Sequence, residues 1–282
     1  LERLQAVGDH KLTLVCAPPG YGKSTIVAQF AYQSSYVAAW QTIEERDRDV
    51  PNLYRQSLAA LETVAAGIQD LPADPVGYTP GELSGLIADY VRNAVTDDFV
   101  YVLDDIQYLA GAPGAETWLR AMVSMMPANC HMVLIGRILP DLPLTEMIAR
   151  REVLALGQEQ LKFTPTEIDS LAREVLGLSP SPAEVYDLAS RLEGWPAGVF
   201  LALRPLPADL EHAMLNGGEG PEGLFDALAS LMLRAQPPAL RDFLLASSTL
   251  ERLTPDLCTA ALGLRDSTHW ISEVQSRNLF IS

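Results

Sequence analysis

The sequence has few of the side chains that build disulfide or metal scaffolds. Of its 282 residues, three are cysteine and four are histidine. Cys16, Cys130 and Cys258 lie far apart beside apolar residues, without the spacing of metal ligands. An odd number of widely spaced cysteines argues against a disulfide framework and favours reduced, buried thiols in the cytoplasm.

Positive charge and long apolar runs are also scarce. Twenty Lys and Arg stand against 36 Asp and Glu, which gives a formal net charge of -16. An acidic surface repels nucleic-acid phosphates and anionic lipids, so we expect no direct contact of this stretch with DNA or membrane. There is no basic-then-apolar leader and no apolar run of about 18 residues. Because the chain opens at Leu1 and ends at Ser282 inside an apolar pattern, we expect a fragment of a longer protein.

Strand and helix patterns alternate through the first half of the chain. Helical spacing at 24–32, 53–68, 82–95 and 116–126 separates short β-favouring runs, some of them continuously apolar. The predicted strands are residues 11–16, 36–42, 99–103 and 132–135, with 151–156 as an edge strand. This alternation predicts an α/β fold with a parallel sheet flanked by helices.

After Gly157 the pattern becomes helical. Thr164, with Pro165 and Glu167 behind it, has the sequence of a helix N-cap. A helix is predicted at 182–193, and residues 194–198 are predicted to open another. Residues 205–223 are rich in Pro, Gly and acidic residues and are predicted to be a linker. Four further helices are predicted at 224–233, 238–247, 253–261 and 269–275.

The central motif reads Ala-Pro-Pro-Gly-Tyr-Gly-Lys-Ser-Thr at 17–25 and fits a P-loop with Ala in place of the first Gly. Glycines let the backbone amides turn towards phosphates, and the following helix directs its positive N-terminus at them. The motif lies between a predicted strand and a predicted helix, the context that such a loop requires. It predicts a site for ATP or ADP with Mg²⁺, in which Lys23 contacts the phosphates and Ser24 binds the metal. The expected nucleotide contacts are Pro19, Gly20, Tyr21, Gly22, Lys23, Ser24 and Thr25.

Acidic residues follow the apolar strand at 99–103. Because ligands bind at the carboxyl edge of open α/β sheets, Asp104 and Asp105 are expected to face the P-loop. Asp104 is predicted to orient the magnesium ion and Asp105 to act as general base towards the attacking water. The alternative is a polar turn at the end of a strand.

Arg137 follows the strand at 132–135 and is expected at the same edge. A guanidinium there is suited to sensing or neutralising a γ-phosphate. The alternative is a surface arginine paired with Asp141 or Glu146.

Four other features have structural explanations from the sequence alone. Gly194-Trp195-Pro196 has the composition of a helix start. Met122, Met125 and Met126 have core spacing. His269 beside Trp270 is either structural or a phosphate ligand. The acidic run at 44–49 is expected to be a solvated loop.

Taken together, the motifs resemble the signal-transduction ATPases with numerous domains, the STAND class, and within it the large LuxR-type transcription activators. The resemblance extends over nearly the whole chain. The residues that carry it are 17–25, Ala39-Trp40, 102–105, Gly136-Arg137, Leu161, Phe163, Glu167, 193–198, 242–245, Ser247, Leu253 and 278–280.

The resemblance implies an architecture and a further site residue. It implies a nucleotide-binding domain at 1–156, a helical domain at 157–204, a linker at 205–223 and a truncated winged-helix domain at 224–282. In this class a Gly-x-Pro places its proline against the base, which makes Pro196 an expected nucleotide contact. It also implies an ADP-bound off state, self-association with ATP, an inducer bound by C-terminal sensor repeats, and DNA binding by a C-terminal helix-turn-helix.

Two kinds of function are considered from these residues and from what the resemblance implies. The first is a nucleotide-operated switch that controls assembly of a transcription regulator, with slow ATP hydrolysis. The second is a turnover P-loop enzyme, either an AAA+-type ATPase or a small-molecule kinase. A kinase needs a basic lid, and no arginine cluster follows Asp105. A degenerate scaffold is disfavoured by the intact Lys23, Ser24 and Asp104.

Overall fold

The computed structural model describes residues 1–72, 75–139, 141–142, 144–203, 233, 236–250, 253–263 and 267–276. The chain divides into two units, Leu1–Leu161 and Lys162–Ser282. Among these residues, no helix has the length and apolar character needed to cross a bilayer.

A five-stranded parallel sheet forms the centre of the first unit. Its strand order is β2-β3-β4-β1-β5, and each pair of neighbours is parallel. Every residue of β3 and β4 is buried, as expected for inner strands covered by helices on both faces. The predicted α/β fold is therefore confirmed, with β5 at the predicted edge. The strands are β1 Leu12–Cys16, β2 Val37–Thr42, β3 Phe99–Asp104, β4 Cys130–Gly136 and β5 Val153–Leu156.

Helices alternate with these strands. Their apolar residues join the strands in one core, whose largest fully buried side chains include Trp118, Tyr54 and Tyr101. Short 3-10 helices lie at Glu2–Asp9, Glu45–Arg48, Ile68–Asp70 and Ile106–Leu109. The α-helices of this unit are α1 Lys23–Gln33, α2 Val50–Leu61, α3 Pro80–Ala94, α4 Pro113–Met125, α5 Leu144–Ala149 and α6 Gln158–Leu161.

The helix predicted at 53–68 differs from α2 at both ends. It begins earlier because the Asp49 side chain accepts a hydrogen bond from the Asn52 amide, as an N-cap does. It ends earlier, at Leu61, and the turns that follow contain the left-handed Gly67, with φ 81°, whose amide donates to the Glu62 carboxylate at 3.0 Å. At both ends, a side-chain carboxylate accepts a hydrogen bond from a backbone amide.

The acidic run at 44–49 is not a fully solvated loop, so that expectation is wrong for Asp47. Asp47 is only 1% exposed, and its carboxylate accepts hydrogen bonds from the Glu44 amide and from Asn52 Nδ2. Burial raises the pKa of Asp47, and these bonds partly offset that rise. Met125 is 44% exposed and likewise departs from its expected place in the core.

The second unit is helical where it is described. Thr164 caps α7 with Glu167, as the sequence predicts. The helices α7 to α9 enclose a small core of Ile168, Val185, Leu192 and Val199. Their bounds are α7 Pro165–Ser170, a π-helical turn Leu171–Val175, α8 Pro182–Arg191 and α9 Pro196–Ala202.

Three later helices enclose another apolar cluster, which includes Phe243, Cys258 and Val274. They are α10 Pro238–Ser247, α11 Pro255–Leu262 and α12 Ser267–Ser276. The His269 ring lies edge-on to the ring of Trp270, and both interpretations of His269 stay predictions. The predicted linker at 205–223 and all but the last residue of the helix predicted at 224–233 lie outside the described residues.

Candidate nucleotide-binding site

The strand order brings three chain segments to one edge of the sheet. β4 lies between β1 and β3, with Cys16 opposite Gly136 and Leu103 opposite Leu134. The residues at or directly after the ends of these three strands are therefore neighbours at the carboxyl edge. They are the P-loop, the pair Asp104-Asp105, and Arg137.

The P-loop has the backbone that its glycines predict. Gly20 and Gly22 have φ of 78° and 69°, the left-handed region that glycine tolerates best. A Cβ at Gly22 would meet nothing within 4 Å, so conformation rather than space requires glycine there. Gly22 is the N-cap of α1, which begins at Lys23. The loop therefore presents its amides and a helix N-terminus together.

Lys23 is held against the loop that precedes it. Its side chain is largely buried, and Nζ donates a hydrogen bond to the Pro18 carbonyl at 3.1 Å. Burial lowers the pKa of Lys23 and the neighbouring Arg137 guanidinium lowers it further, while Asp105 and Asp104 oppose that shift. Because burial removes water from the ammonium group, a bound anion stabilises its charged form more than it would stabilise an exposed one.

Ser24 and Asp104 meet across the site. Ser24 Oγ donates to Asp104 Oδ1 at 3.0 Å, although the two residues are 80 positions apart. Asp104 is 6% exposed, and burial raises the pKa of its carboxyl group, while the bond from Ser24 lowers it. A hydroxyl and a carboxylate are oxygen ligands of the kind that Mg²⁺ prefers, and a cation would offset the desolvation of the carboxylate. The residues present therefore fit a magnesium ion.

Asp105 has an unusual backbone for a residue with a side chain. Its φ is 61°, and its amide donates to Asp104 Oδ1 at 2.9 Å. Its own carboxylate accepts from Gln107 Nε2 at 2.7 Å. A left-handed aspartate directly after a strand is a local strain of the kind that clusters at functional sites.

Arg137 follows β4 and lies close enough to Lys23 to affect its pKa. The Arg137 amide donates to Gln107 Oε1 at 3.1 Å. The two carboxylates considered as surface partners pair elsewhere: Asp141 with Arg120 at 3.4 Å, and Glu146 with Arg150 at 3.8 Å. Lys23, Ser24, Asp104, Asp105 and Arg137 are thus brought together, as the sequence predicts for their positions.

The remaining expected contacts occupy the loop and the second unit. Pro19 and Gly20 lie in the exposed turn of the loop, and Thr25 lies exposed in the first turn of α1. Pro196 is the first residue of α9 in the second unit, and its contact with the base stays a prediction.

Gly194 and Gly198 have packing roles beside Pro196. Gly194 has φ 71°, and a Cβ there would lie 2.5 Å from the Phe163 carbonyl oxygen. A Cβ at Gly198 would overlap the Trp195 ring. The two glycines are therefore explained by close approach of backbone and ring.

Sequence reasoning missed two side chains at this edge. Gln107 contacts both Asp105 and Arg137. Gln158, at the start of α6, donates from Nε2 to the Tyr21 hydroxyl at 2.8 Å. Tyr21 is 8% exposed, so the non-glycine residue of the loop is packed and hydrogen-bonded. A polar residue three positions after the strand-end Asp104 is a faint signal for Gln107, and nothing in the sequence indicates the partner of Tyr21.

The chain is similar in sequence to known transcription regulators. The model of the MalT winged helix domain matches residues 229–282. Over 288 aligned residues, the chain is 25% identical to the HTH-type transcriptional regulator MalT of Yersinia enterocolitica, covering all of this chain and 32% of that protein. The MalT protein of Yersinia pestis is 24% identical over 287 residues with the same coverage. The chain thus spans about a third of the length of the curated relatives it matches.

A solved structure shares the fold. A STAND protein with a tetratricopeptide repeat sensor from Pyrococcus horikoshii superposes with a TM-score of 0.54 at 17% identity, covering 96% of this chain and 38% of that one. At this identity the likeness concerns the fold alone. The resemblance to STAND ATPases and to large LuxR-type regulators, stated from the motifs, is confirmed: the chain is similar in sequence to MalT regulators and shares the fold of a STAND protein.

Proposed function

We propose that the chain is the ATP/ADP-binding switch module of a signal-transduction ATPase, which works in the cytoplasm and controls self-association of a transcription regulator. The observation that carries the proposal is the meeting of Ser24 and Asp104 beside the P-loop, at the edge where Lys23 and Arg137 also lie. A phosphate loop, a metal-ligand pair and a second cation are the parts that a nucleoside triphosphate site requires.

The loop and Lys23 bind the phosphates in this proposal. The amides of residues 20–25 surround the β-phosphate, and the N-terminus of α1 favours negative charge at the same place. Lys23 leaves the Pro18 carbonyl and binds the β- and γ-phosphates. Because the carbonyl that it leaves is neutral, exchange for a phosphate strengthens the hydrogen bond.

Ser24 and Asp104 would hold a magnesium ion with the nucleotide, and the chemistry gained from that ion would be neutralisation of phosphate charge. Asp105 accepts a proton from the attacking water, and Arg137 contacts the γ-phosphate. Hydrolysis is slow in this proposal. The identity of the bound nucleotide, ATP or ADP, therefore determines the state of the switch.

The switch requires that ATP and ADP stabilise different arrangements of the chain. Arg137 and Asp105 supply that difference, since they act on the phosphate that only ATP carries. We propose that residues 1–156 bind nucleotide, 157–204 form a helical domain whose Pro196 contacts the base, and 224–282 form part of a winged helix. The match of residues 229–282 to a winged-helix model supports the last assignment.

The whole protein then follows the pattern of its relatives. An inducer binds a sensor region C-terminal to this chain, and DNA is bound by a further C-terminal domain. The net charge of -16 disfavours contact of this chain with DNA phosphates, which supports placing DNA binding in another part of the protein.

The test is calorimetric titration of the chain with ATP and with ADP, in magnesium, combined with small-angle scattering of each complex. We expect saturable binding of both nucleotides and a different shape in each complex. Lys23→Ala removes binding, whereas Lys11→Ala, at an exposed lysine that donates to the Ser124 carbonyl, leaves it unchanged. Equal affinities and identical shapes for ATP and ADP would contradict a switch. Steady-state hydrolysis at many turnovers per second would favour a turnover P-loop enzyme instead.

A further inference from the structure

Gln107 occupies the space between two proposed catalytic groups. It lies in the 3-10 helix Ile106–Leu109, directly after Asp105 and beside the end of β4. Its Nε2 donates to Asp105 Oδ1 at 2.7 Å, and its Oε1 accepts from the Arg137 amide at 3.1 Å. One side chain therefore connects the ends of β3 and β4.

The chemistry of both partners fixes the orientation of this carboxamide. An ionised carboxylate only accepts hydrogen bonds and a backbone N–H only donates, so Nε2 must face Asp105 and Oε1 must face Arg137. A side-chain amide offers a donor and an acceptor on one planar group, which neither a carboxylate nor a thioether of similar length does. Glutamine therefore suits both partners at once.

The surrounding residues hold Gln107 in place. The Arg48 guanidinium donates to the carbonyls of Tyr108, Ala110 and Gly111 at 3.1, 3.0 and 3.2 Å, which anchors the turn that carries Gln107. On the other side, a Cβ at Gly136 would lie 2.8 Å from Ile106 Cγ1 and 3.3 Å from Gln107 Oε1. The absence of a side chain at position 136 lets the turn approach β4 closely.

We infer that Gln107 is the positioning residue that sets the Asp105 carboxylate and the Arg137 backbone relative to each other at the γ-phosphate. The inference rests on the proposed function. Asp105 is held in a left-handed conformation, and the bond from Gln107 restricts where its carboxylate points. Displacement of a reacting group by about 1 Å lowers a rate by up to about a hundredfold. The hydrogen bonds of the Gln107 side chain go to Asp105 and Arg137, so its loss affects hydrolysis and γ-phosphate sensing more than the binding of ADP.

Two substitutions separate the two halves of this role. Gln107→Met keeps the length of the side chain and removes both hydrogen bonds. Gln107→Glu keeps the acceptor for the Arg137 amide and places a carboxylate against Asp105. Gln56→Met, at an exposed glutamine of α2, is the matched control.

The experiment measures ADP affinity, the ratio of ATP to ADP affinity, and single-turnover hydrolysis of bound Mg-ATP for each chain. We expect ADP affinity within twofold of wild type in all variants, which also reports that each is folded. Hydrolysis falls by about tenfold to a hundredfold in both Gln107 variants. The affinity ratio moves towards one in Gln107→Met and is retained in Gln107→Glu.

The inference and the proposed function fail in different ways. Suppose that both Gln107 variants bind ADP normally, hydrolyse ATP at the wild-type rate and have the wild-type ratio of ATP to ADP affinity. That result would overturn the role of Gln107 and leave the switch intact. A loss of ADP affinity in both Gln107 variants would likewise contradict a positioning role confined to the γ-phosphate. If wild type binds ATP and ADP with equal affinity and shows no detectable ATP hydrolysis, the proposed function is contradicted, and the role of Gln107 with it.

Discussion

At the scale of single residues, the site combines groups that are poorly solvated before any ligand arrives. Asp104 and Lys23 are both largely buried. Burial raises the pKa of Asp104 and lowers the pKa of Lys23, and both shifts favour the neutral form of the group. The protein therefore carries charges at this edge that reduce stability and are suited to binding a metal and phosphates. Such a trade of stability for function is common at binding sites.

Asp104→Asn tests this trade. Because the pKa of Asp104 is raised in the folded chain, the stability linked to this group is full below the unfolded pKa and is lost as pH rises through the folded pKa. At neutral pH we therefore expect Asp104→Asn without ligand to unfold at the same temperature as wild type or higher. Magnesium with nucleotide should raise that temperature less than it does for wild type.

Differential scanning calorimetry at several pH values measures both effects. Asp97→Asn, at an exposed aspartate before β3, is the control and should change neither. A variant that is clearly less stable than wild type at neutral pH, or that gains as much stability from magnesium and nucleotide, would contradict the assignment.

Arg137→Ala tests recognition of the γ-phosphate. We expect ATP affinity to fall by about tenfold, since a charge-assisted bond to phosphate is lost, while ADP affinity stays near wild type. Calorimetric titration provides both constants. Arg55→Ala, at an exposed position of α2, serves as the control. Equal losses for ATP and ADP would indicate that Arg137 contacts a part of the nucleotide that both share.

The sequence predicts the site residues whose chemistry is tied to a local pattern. Lys23 and Ser24 follow from the glycine loop, and Asp104 follows from its place at the end of an apolar strand. Gln107 and the pair of Tyr21 with Gln158 do not, because their partners depend on which strands are neighbours. The alternation of strands and helices indicates a parallel sheet but leaves the order β2-β3-β4-β1-β5 open.

At the scale of elements, type was easier to predict than boundaries. All five strands appear where the sequence places them, since apolar β-favouring runs bounded by turn residues have few other uses. The end of α2 was missed because apolar spacing continues through the turns after Leu61, where the left-handed Gly67 donates to the Glu62 carboxylate, a contact without a periodic signal. Burial of Asp47 was missed for the same reason, since its partners are backbone and Asn52.

Gly198→Ala and Gly194→Ala test the packing that surrounds Pro196. At Gly198 a methyl group would overlap the Trp195 ring, and at Gly194 it would meet the Phe163 carbonyl oxygen in a left-handed conformation. We expect each to lower the free energy of unfolding by about 1–3 kcal/mol. Urea unfolding followed by circular dichroism measures the change.

Gly81→Ala is the matched control for these two variants. A Cβ at Gly81, in the first turn of α3, meets nothing within 4 Å. That substitution should be neutral or slightly stabilising, because alanine loses less backbone entropy than glycine. If Gly198→Ala behaved like Gly81→Ala, the account of Trp195 packing would be wrong.

At the scale of the whole molecule, the chain joins an α/β unit to a helical unit and matches MalT regulators along its full length. The sheet order puts every predicted phosphate and metal ligand of the first unit at one edge. The second unit carries Pro196 and the residues that match a winged helix. In the proposed switch, ligand chemistry at the first unit acts on the arrangement of the second, and through it on assembly.

The most direct test of this account is a crystal structure of the chain with magnesium and a non-hydrolysable ATP analogue. We predict phosphate oxygens at about 3 Å from Lys23 Nζ and from the amides of residues 20–25, with the metal between Ser24 and Asp104. Phosphates bound anywhere else on the chain would contradict the assignment of the loop, and the switch that depends on it.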